Sequence, residues 1–349
     1  MGPDGIHPKL LKELSDVIAK PLTGVVPEDW KFANVVPIYK KGSREESGNY
    51  RPVSLTSVVG KLMETMLKER IVEHLKTHRL QDQKQHGFTS CQTNLYYFCY
   101  PIKKINDTGS AVDIAYLDFS KAFDTVPHRR LINKLQSLSL DSNIVEWIRQ
   151  WLSDRQQRVV VNGVYSVQGL VTSGVPQGSV LGPILFNIFI SDIAEGINGK
   201  VCLSADDPKI CNRVDVPGGI SQMTNDLGKL KKWSELWQLS FNVDKCKIMH
   251  LGRKNPRAEY RIFDTVLTST SEGWDLGVII LEDLRVSSQC NRAAGNASRM
   301  LGCVGRGISS RKREVLMPLY RALVRPHLEY CVQYWRPYLQ KDIDIVERV

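Results

Sequence analysis

Two acidic sites stand out in the chain. Asp118 opens the run Asp118-Phe119-Ser120-Lys121-Ala122-Phe123-Asp124 behind an apolar stretch, and Asp206-Asp207 follow Ala205. Carboxylates mounted at strand ends suit hard divalent cations, which take oxygen ligands. Two such ions about 3.5–4 Å apart clamp the attacking and leaving oxygens of an in-line phosphoryl transfer. Alone, either site reads more readily as a solvated turn than as a catalytic group. Between them lies Ser173-Gly174-Val175-Pro176-Gln177-Gly178-Ser179-Val180-Leu181-Gly182-Pro183. Its glycines permit close backbone approach, and Gln177 and Gly178 stand just ahead of a helix N-terminus, where an anionic or base-bearing ligand can be met; a plain helix cap is the alternative. The order of the three parts says more than any one of them: strand-Asp, Pro-Gln-Gly loop with helix, then Ala-Asp-Asp hairpin.

The elements that must position these residues are partly legible. Leu62, Met63, Met66, Leu67, Ile71 and Leu75 recur at helical spacing and predict a helix from about Lys61 to Lys76. Residues 112–117 read as a strand ending at Asp118, and helical patterns cover 131–138 and 144–152. Segments 157–162 and 167–172 read as paired strands around a turn near Gly163, and 179–193 as a mostly apolar helix. Two short strands, 200–203 and 209–212, join through a tip at Asp206-Asp207, before a helix over 221–237 and a strand over 246–251. Near the C-terminus Val315, Leu316, Leu319, Tyr320, Leu323 and Val324 form one apolar stripe beside Arg311, Lys312 and Arg313. Core packing is the expectation for every such stripe.

Composition narrows the class. The 349 residues include 47 Lys+Arg and 37 Asp+Glu, a net charge of +10, with 42% hydrophobic and 24% charged residues. That is globular composition, long enough for two or three sub-domains, and the moderate positive excess favours an anionic partner such as nucleic acid. The longest mostly apolar stretch, Val180–Ile190, has 11 residues, where a membrane span needs about 20. No apolar signal run opens the chain, so an intracellular setting, nuclear or cytoplasmic, is expected rather than secretion. Eight cysteines are scattered without a Cys-x-x-Cys pair. Free thiols are expected, and zinc is not.

The motifs resemble the reverse transcriptases of non-LTR (LINE-type) retrotransposons along nearly the whole chain. The resemblance rests on Gly2-Pro3-Asp4-Gly5-Ile6, Ala33 through Gly42, Asn49-Tyr50-Arg51-Pro52-Val53-Ser54-Leu55, and the run from Leu117 to Asp124. It continues through Pro176-Gln177-Gly178, Ala205-Asp206-Asp207 and Leu239 through Cys246. It implies an α+β right-hand polymerase fold with fingers over 1–108, a palm with an antiparallel sheet over 109–262 (its finger/palm helices and hairpin at 129–172), and a truncated helical thumb over 263–349. It implies RNA-directed DNA polymerase activity with Mg²⁺, or Mn²⁺, on an RNA template with a DNA primer and dNTPs. Asp118, Asp206 and Asp207 match the metal-binding catalytic carboxylates, Asp207 as the less direct ligand. Lys40 and Arg51 match the fingers cations that hold the triphosphate, and Arg suits bidentate phosphate contacts. Phe123 matches the gate beneath the ribose C2′, with ordinary core packing as its competitor. Gln177 and Gly178 match residues near the incoming nucleotide, and Lys245 a lysine near the leaving pyrophosphate, where it could donate a proton. Leu276-Gly277-Val278 resembles the region gripping the primer end. Arg311, Lys312 and Arg313 would face the duplex backbone.

The chain departs from the pattern beside the acidic pair. Ser204 stands where family members carry an aromatic residue, and Pro208 where they carry Thr. Proline removes a backbone donor from the second hairpin strand and pushes Asp207 toward extended geometry. A misplacement of about 1 Å at such a site costs roughly 10²-fold in rate. The segments at 21–27 and 87–91 look short, and the chain begins inside the polymerase region and stops apparently mid-helix, with no endonuclease ahead of it. A catalytically inactive remnant that retains nucleic-acid binding is therefore the alternative expectation. An RNA-dependent RNA polymerase is disfavoured by Phe123 and the flanking motifs. A metal-dependent nuclease would need further ligands, and the seven His do not cluster near these aspartates.

Overall fold

The computed structural model describes residues 26–80, 98, 102, 104 and 108–349. The Gly2–Ile6 motif and the segments at 21–25 and 87–91 lie outside the described residues. Strands β1 (Phe32–Tyr39) and β2 (Tyr50–Leu55) lead into helix α1 (Val58–Thr77). Next comes β3 (Val112–Tyr116), followed by α2 (His128–Ser137), α3 (Ser142–Leu152) and strands β4 (Gln156–Val161), β5 (Val164–Tyr165) and β6 (Gly169–Leu170). Then come α4 (Gly182–Phe189), β7 (Lys200–Ser204), β8 (Asp207–Arg213), α5 (Gly219–Trp237) and β9 (Lys247–Leu251). Short strands β10 (Arg261–Ile262), β11 (Thr265–Val266) and β12 (Thr268–Ser269) precede the hairpin β13 (Glu272–Asp275) and β14 (Val278–Leu281), and α6 (Ser287–Gly307) begins the C-terminal helices.

Local chemistry accounts for many of these boundaries. Ser57 caps α1 by accepting the Gly60 N–H at 3.2 Å, and Met63, Leu67, Ile71 and Leu75 bury one face. Asp141 caps α3 through the Asn143 N–H at 2.7 Å. Asn162 and Gly163, with φ of +50° and +81°, make the two-residue turn from β4 to β5.

The central sheet runs β12-β9-β3-β8-β7, with β3 antiparallel to both neighbours. One face carries Ala115, Val201, Leu203, Ile210 and Ile248 into a core with α4 and α5 residues such as Phe186, Phe189 and Leu227. The other carries Val112, Ile114, Cys202, Cys211 and Met249 against Val278 and Ile280 of the β13–β14 hairpin, with Cys290 and Trp335 beyond. Burial on both faces explains why these strands read as apolar runs rather than as alternating ones. A second sheet, β2-β1-β4-β5 with β6 also on β4, lies N-terminal in origin and places β1 parallel to β4.

Three expectations are corrected. Helix α4 is shorter than 179–193, because residues after Phe189 close into turns. There Ser191 Oγ donates to the Ile188 carbonyl at 2.9 Å and the Glu195 N–H to Asp192 at 2.9 Å. The hairpin tip is Ala205-Asp206 rather than Asp206-Asp207: Ser204 pairs with Asp207, and Ala205 takes the strained φ of +52°. The C-terminal apolar stripe is not a core stripe. Pro318 interrupts the helix Arg313–Leu319, and a π-helical turn follows over Tyr320–Val324. Val324 is buried, but Val315 and Leu323 are exposed. Among the described cysteines, Cys202, Cys211, Cys246, Cys290 and Cys331 are buried free thiols, and Cys303 is exposed. No helix among the described residues is long and apolar enough to cross a membrane.

Candidate active site

Asp118 lies two residues past the end of β3, on the strand parity of Tyr116 and Ile114. Its backbone is pinned from the 239–246 segment: the Asn242 N–H donates to its carbonyl at 2.7 Å and the Ser120 N–H to Ser240 O at 2.9 Å. Phe119 stacks on Phe241 with ring centroids 4.6 Å apart. The same segment delivers Lys245, whose Nζ donates to Asp118 Oδ2 at 2.9 Å. Asp206 occupies the second turn position between β7 and β8, and Asp207 begins β8. Asp207 keeps part of its surface exposed, yet its carboxyl is crowded. Desolvation first, then the negative charges of Asp206 and Asp118, push it up to about 6, with Lys209 opposing.

Pro208 fits its strand. Its carbonyl accepts the Leu117 N–H at 3.0 Å, so its ring nitrogen points to the same side, where the β3–β8 pairing ends at Tyr116↔Lys209. The missing donor therefore falls at the last rung of the ladder. Ser204 is buried behind it.

A cavity of about 340 Å³ opens between β1, β2, the 121–124 turn and the 171–177 loop, with Asp118, Asp206 and Asp207 not among its walls. Pro52, Lys121, Phe123, Asp124, Arg155 and Gln177 are among its walls. Phe123 both lines this cavity and stacks on Phe186 at 4.6 Å, so one ring serves as cavity wall and as core packing. Gln177 Nε2 donates to Asp124 Oδ1 at 3.0 Å, and its carbonyl accepts the Ser54 N–H at 2.7 Å. Burial raises the Asp124 carboxyl, while Gln177, Lys121 and Lys40 pull it down. Lys40 thus reaches the cavity electrostatically from the end of β1. Gly178, at φ +103°, brings its backbone so close to β2 that a Cβ would meet Ser54 O at 2.7 Å. Arg51 is exposed on β2 opposite Ile38. Arg311, Lys312 and Arg313 are exposed and remote in the chain from these groups.

Sequence reasoning missed Glu64. It interrupts the buried face of α1 between Met63 and Leu67, and that misplaced charge was the available signal. Its Oε2 accepts the Val180 and Leu181 N–H groups at 2.6 and 3.1 Å, holding the amides that precede α4 directly after the Pro-Gln-Gly loop. Burial raises its carboxyl, and the two amides and Arg155 oppose. Arg155 is buried as well, with Nη1 donating to Trp151 O at 3.0 Å and Trp30 O at 3.3 Å, and desolvation lowers it to about 10.

Carboxylates alone form the donor set at the turn, which is oxygen chemistry for Mg²⁺ or Mn²⁺ rather than for zinc. Burial, and then the charges of Asp206 and Asp118, raise the Asp207 carboxyl, and a divalent cation would offset the second of these. Among the described residues, no three His, Cys, Asp or Glu side chains converge closely enough to enclose one ion.

Comparison with solved structures defines the fold. Telomerase from Candida albicans with a TWJ fragment of telomeric RNA superposes with a TM-score of 0.56 at 12% identity, over 97% of this chain and 68% of that one. Apo telomerase from Candida tropicalis without its C-terminal domain gives 0.51 at 14% identity, over 78% and 58%. The architecture is the right-hand polymerase fold. The family model for reverse transcriptase (RNA-dependent DNA polymerase) matches residues 38–291, and the chain belongs to that family. It is 30% identical to a probable RNA-directed DNA polymerase from transposon BS of Drosophila melanogaster, over 63% of this chain and 26% of the relative. It is 26% identical to the corresponding X-element protein of the same fly, over 88% and 36%. A Pol polyprotein from the R2 retrotransposable element of Popillia japonica matches at 25%, over 89% and 45%. The likeness to non-LTR retrotransposon polymerases is thereby borne out, and the chain spans about a quarter to under a half of those relatives' length.

Proposed function

We propose that this chain is the polymerase region of a non-LTR retrotransposon reverse transcriptase, adding dNTPs to a primer 3′-OH on an RNA template. The observation that carries this reading is the Leu117 N–H bond to the Pro208 carbonyl at 3.0 Å, which sets Asp118 beside the start of β8, where its charge helps to raise the Asp207 carboxyl. Asp118, Asp206 and Asp207 would hold divalent metal, which supplies Lewis-acid stabilisation of the charge developing in phosphoryl transfer. Asp207 shares the strand parity of Lys209 and Cys211 and lies electrostatically close to Asp118, which supports a more direct role than the sequence alone implies. Lys40 and Arg51 neutralise the triphosphate, and Gln177, held by Asp124, borders the sugar and base. Phe123 blocks a 2′-hydroxyl. Lys245 is poised to leave Asp118 for the pyrophosphate, where its ammonium can donate a proton. Within this reading, residues 1–108 act as fingers, 109–262 as palm and 263–349 as thumb, with Arg311, Lys312 and Arg313 tracking the duplex backbone.

The ion pair between Lys245 and Asp118, with Ser204 and Pro208 flanking the acidic turn, supports a second reading: a remnant that binds nucleic acid without extending it. Primed poly(rA), dTTP and Mg²⁺ or Mn²⁺ separate the two. Extension above the level of Asp118→Ala is expected. Extension no better than that variant overturns the polymerase reading of this chain, and recovery in Ser204→Phe with Pro208→Thr would assign the loss to the turn.

A further inference from the structure

Among the described residues, β13 and β14 pair with each other and with no strand of the central sheet, yet the hairpin carries the Leu276-Gly277 turn. Apolar contact holds it broadly: Val278 and Ile280 pack on Ile114 and Met249, and Gly273 lies so near Tyr116 that a Cβ would come within 2.9 Å of its ring. Just ahead of the hairpin, the Thr270 N–H donates to Ile248 O of β9 at 2.8 Å and ties its entry to the sheet. Among the described residues, a buried ion pair also crosses this interface at the far end of β13. Asp275, the last residue of β13, pairs with Lys209 of β8, and only 3% of the Lys209 and 1% of the Asp275 side chain is exposed.

The two ends of that link matter. Lys209 is two residues from Asp207 on the same face of the sheet. Asp275 is adjacent to the turn, where Leu276 and Gly277 adopt φ of +48° and +80° and close onto Val278. From the other side, Tyr330 donates its hydroxyl to Leu276 O at 2.8 Å. A buried ion pair adds little net stability, because desolvation offsets its attraction, but it tolerates few geometries. An interface already filled by Val278 and Ile280 gains registration from such a pair rather than cohesion.

We infer that Lys209 and Asp275 are positioning residues that fix the Leu276-Gly277 turn, and a primer 3′ end held there, relative to Asp118, Asp206 and Asp207. The inference rests on the polymerase reading and on the primer-gripping role that the resemblance implies for that turn. An ammonium–carboxylate link between the acidic strand and the primer-side hairpin sets the distance between the attacking hydroxyl and the site of phosphoryl transfer.

The test uses the full chain with Lys209→Met, Asp275→Asn and the double variant Lys209→Met with Asp275→Leu. Single-turnover addition of dTTP to a pre-bound primer gives the rate and the KM for nucleotide. A 2-aminopurine at the primer 3′ end, read in Ca²⁺, reports the terminus without chemistry. Each single variant is expected to lower the saturated rate per bound primer roughly 10- to 100-fold, to leave the KM for dTTP within about twofold, and to shift the 2-aminopurine signal. The double variant leaves no unpaired buried charge, so it is expected to recover thermal stability and not the rate. Unchanged rate and fluorescence in folded single variants, or full rate in the double variant, overturns the inference. If the unmodified chain extends nothing, the polymerase reading fails by itself. The fluorescence then decides: a shift in the variants sustains the positioning role, and an unchanged signal removes it.

Discussion

Strand β3 presents two aspartates in contrasting states. Asp113, near its start, is fully buried and saturated: His250 Nδ1 lies 2.7 Å and Asn255 Nδ2 2.7 Å from its Oδ1, and Tyr260 donates to its Oδ2 at 2.6 Å. Burial and this aspartate together raise the Tyr260 phenol, so it stays a donor. Asp118, just past the other end, is half-buried, pairs with the exposed Lys245, and lies near enough to Asp207 to raise its carboxyl. The same side chain type serves as a clamp where the protein supplies every partner, and stays partly open where it does not, which suits the ligand-facing role proposed for Asp118.

The contrast breaks most sharply by truncation. Asp118→Ala is expected to cost roughly 10²-fold or more in primer extension while leaving urea stability nearly unchanged. Asp113→Ala strands His250, Asn255 and Tyr260 and should cost about 3 kcal/mol of stability in urea unfolding. Equal stability losses in the two variants would erase the distinction. A gentler probe is pH in EDTA. The folded state holds the Asp207 proton to about 6 against 3.8 for the free side chain, so this group's contribution to stability is full below the lower value and is lost as pH rises through the higher one. Asp207→Asn should flatten that decline, measured as urea midpoint against pH, and Mg²⁺ should stabilise the chain more at pH 8 than at pH 5.

Two predictions carry the contrast beyond the aspartates. Phe123→Val is expected to erode dNTP preference about tenfold, read from competing dNTP and rNTP incorporation; unchanged selectivity leaves Phe123 a packing residue on Phe186. Replacing Arg311, Lys312 and Arg313 together by Ala should reduce the slope of log affinity against log salt by about 2–3 in primer–template binding. An unaltered slope would remove these cations from the duplex path.

Much of this architecture is legible in the residues. The Asn162-Gly163 turn, the α1 stripe and the order of acidic strand, Pro-Gln-Gly loop and acidic turn all follow from local periodicity and turn chemistry. Glu64 shows where legibility ends. A charge within an apolar stripe announces a buried partner, but its partners at Val180 and Leu181 are set by how α1 packs on a segment far along the chain. The apolar C-terminal stripe fails for the opposite reason: its spacing is helical, yet Pro318 changes the helical pitch and leaves Val315 and Leu323 exposed.

Residue types and their order alone determined the family, the oxygen-donor character of the acidic site and the strands that present it, because turn preferences, side-chain alternation and apolar spacing act over short stretches. Only the tertiary structure decided that Asp113 is sealed while Asp118 is open, that Lys245 reaches Asp118, and that Lys209 answers Asp275. Those pairings depend on which strands and hairpins come together across the sheet, and the energy of a buried charge is set by neighbours that the local sequence does not contain.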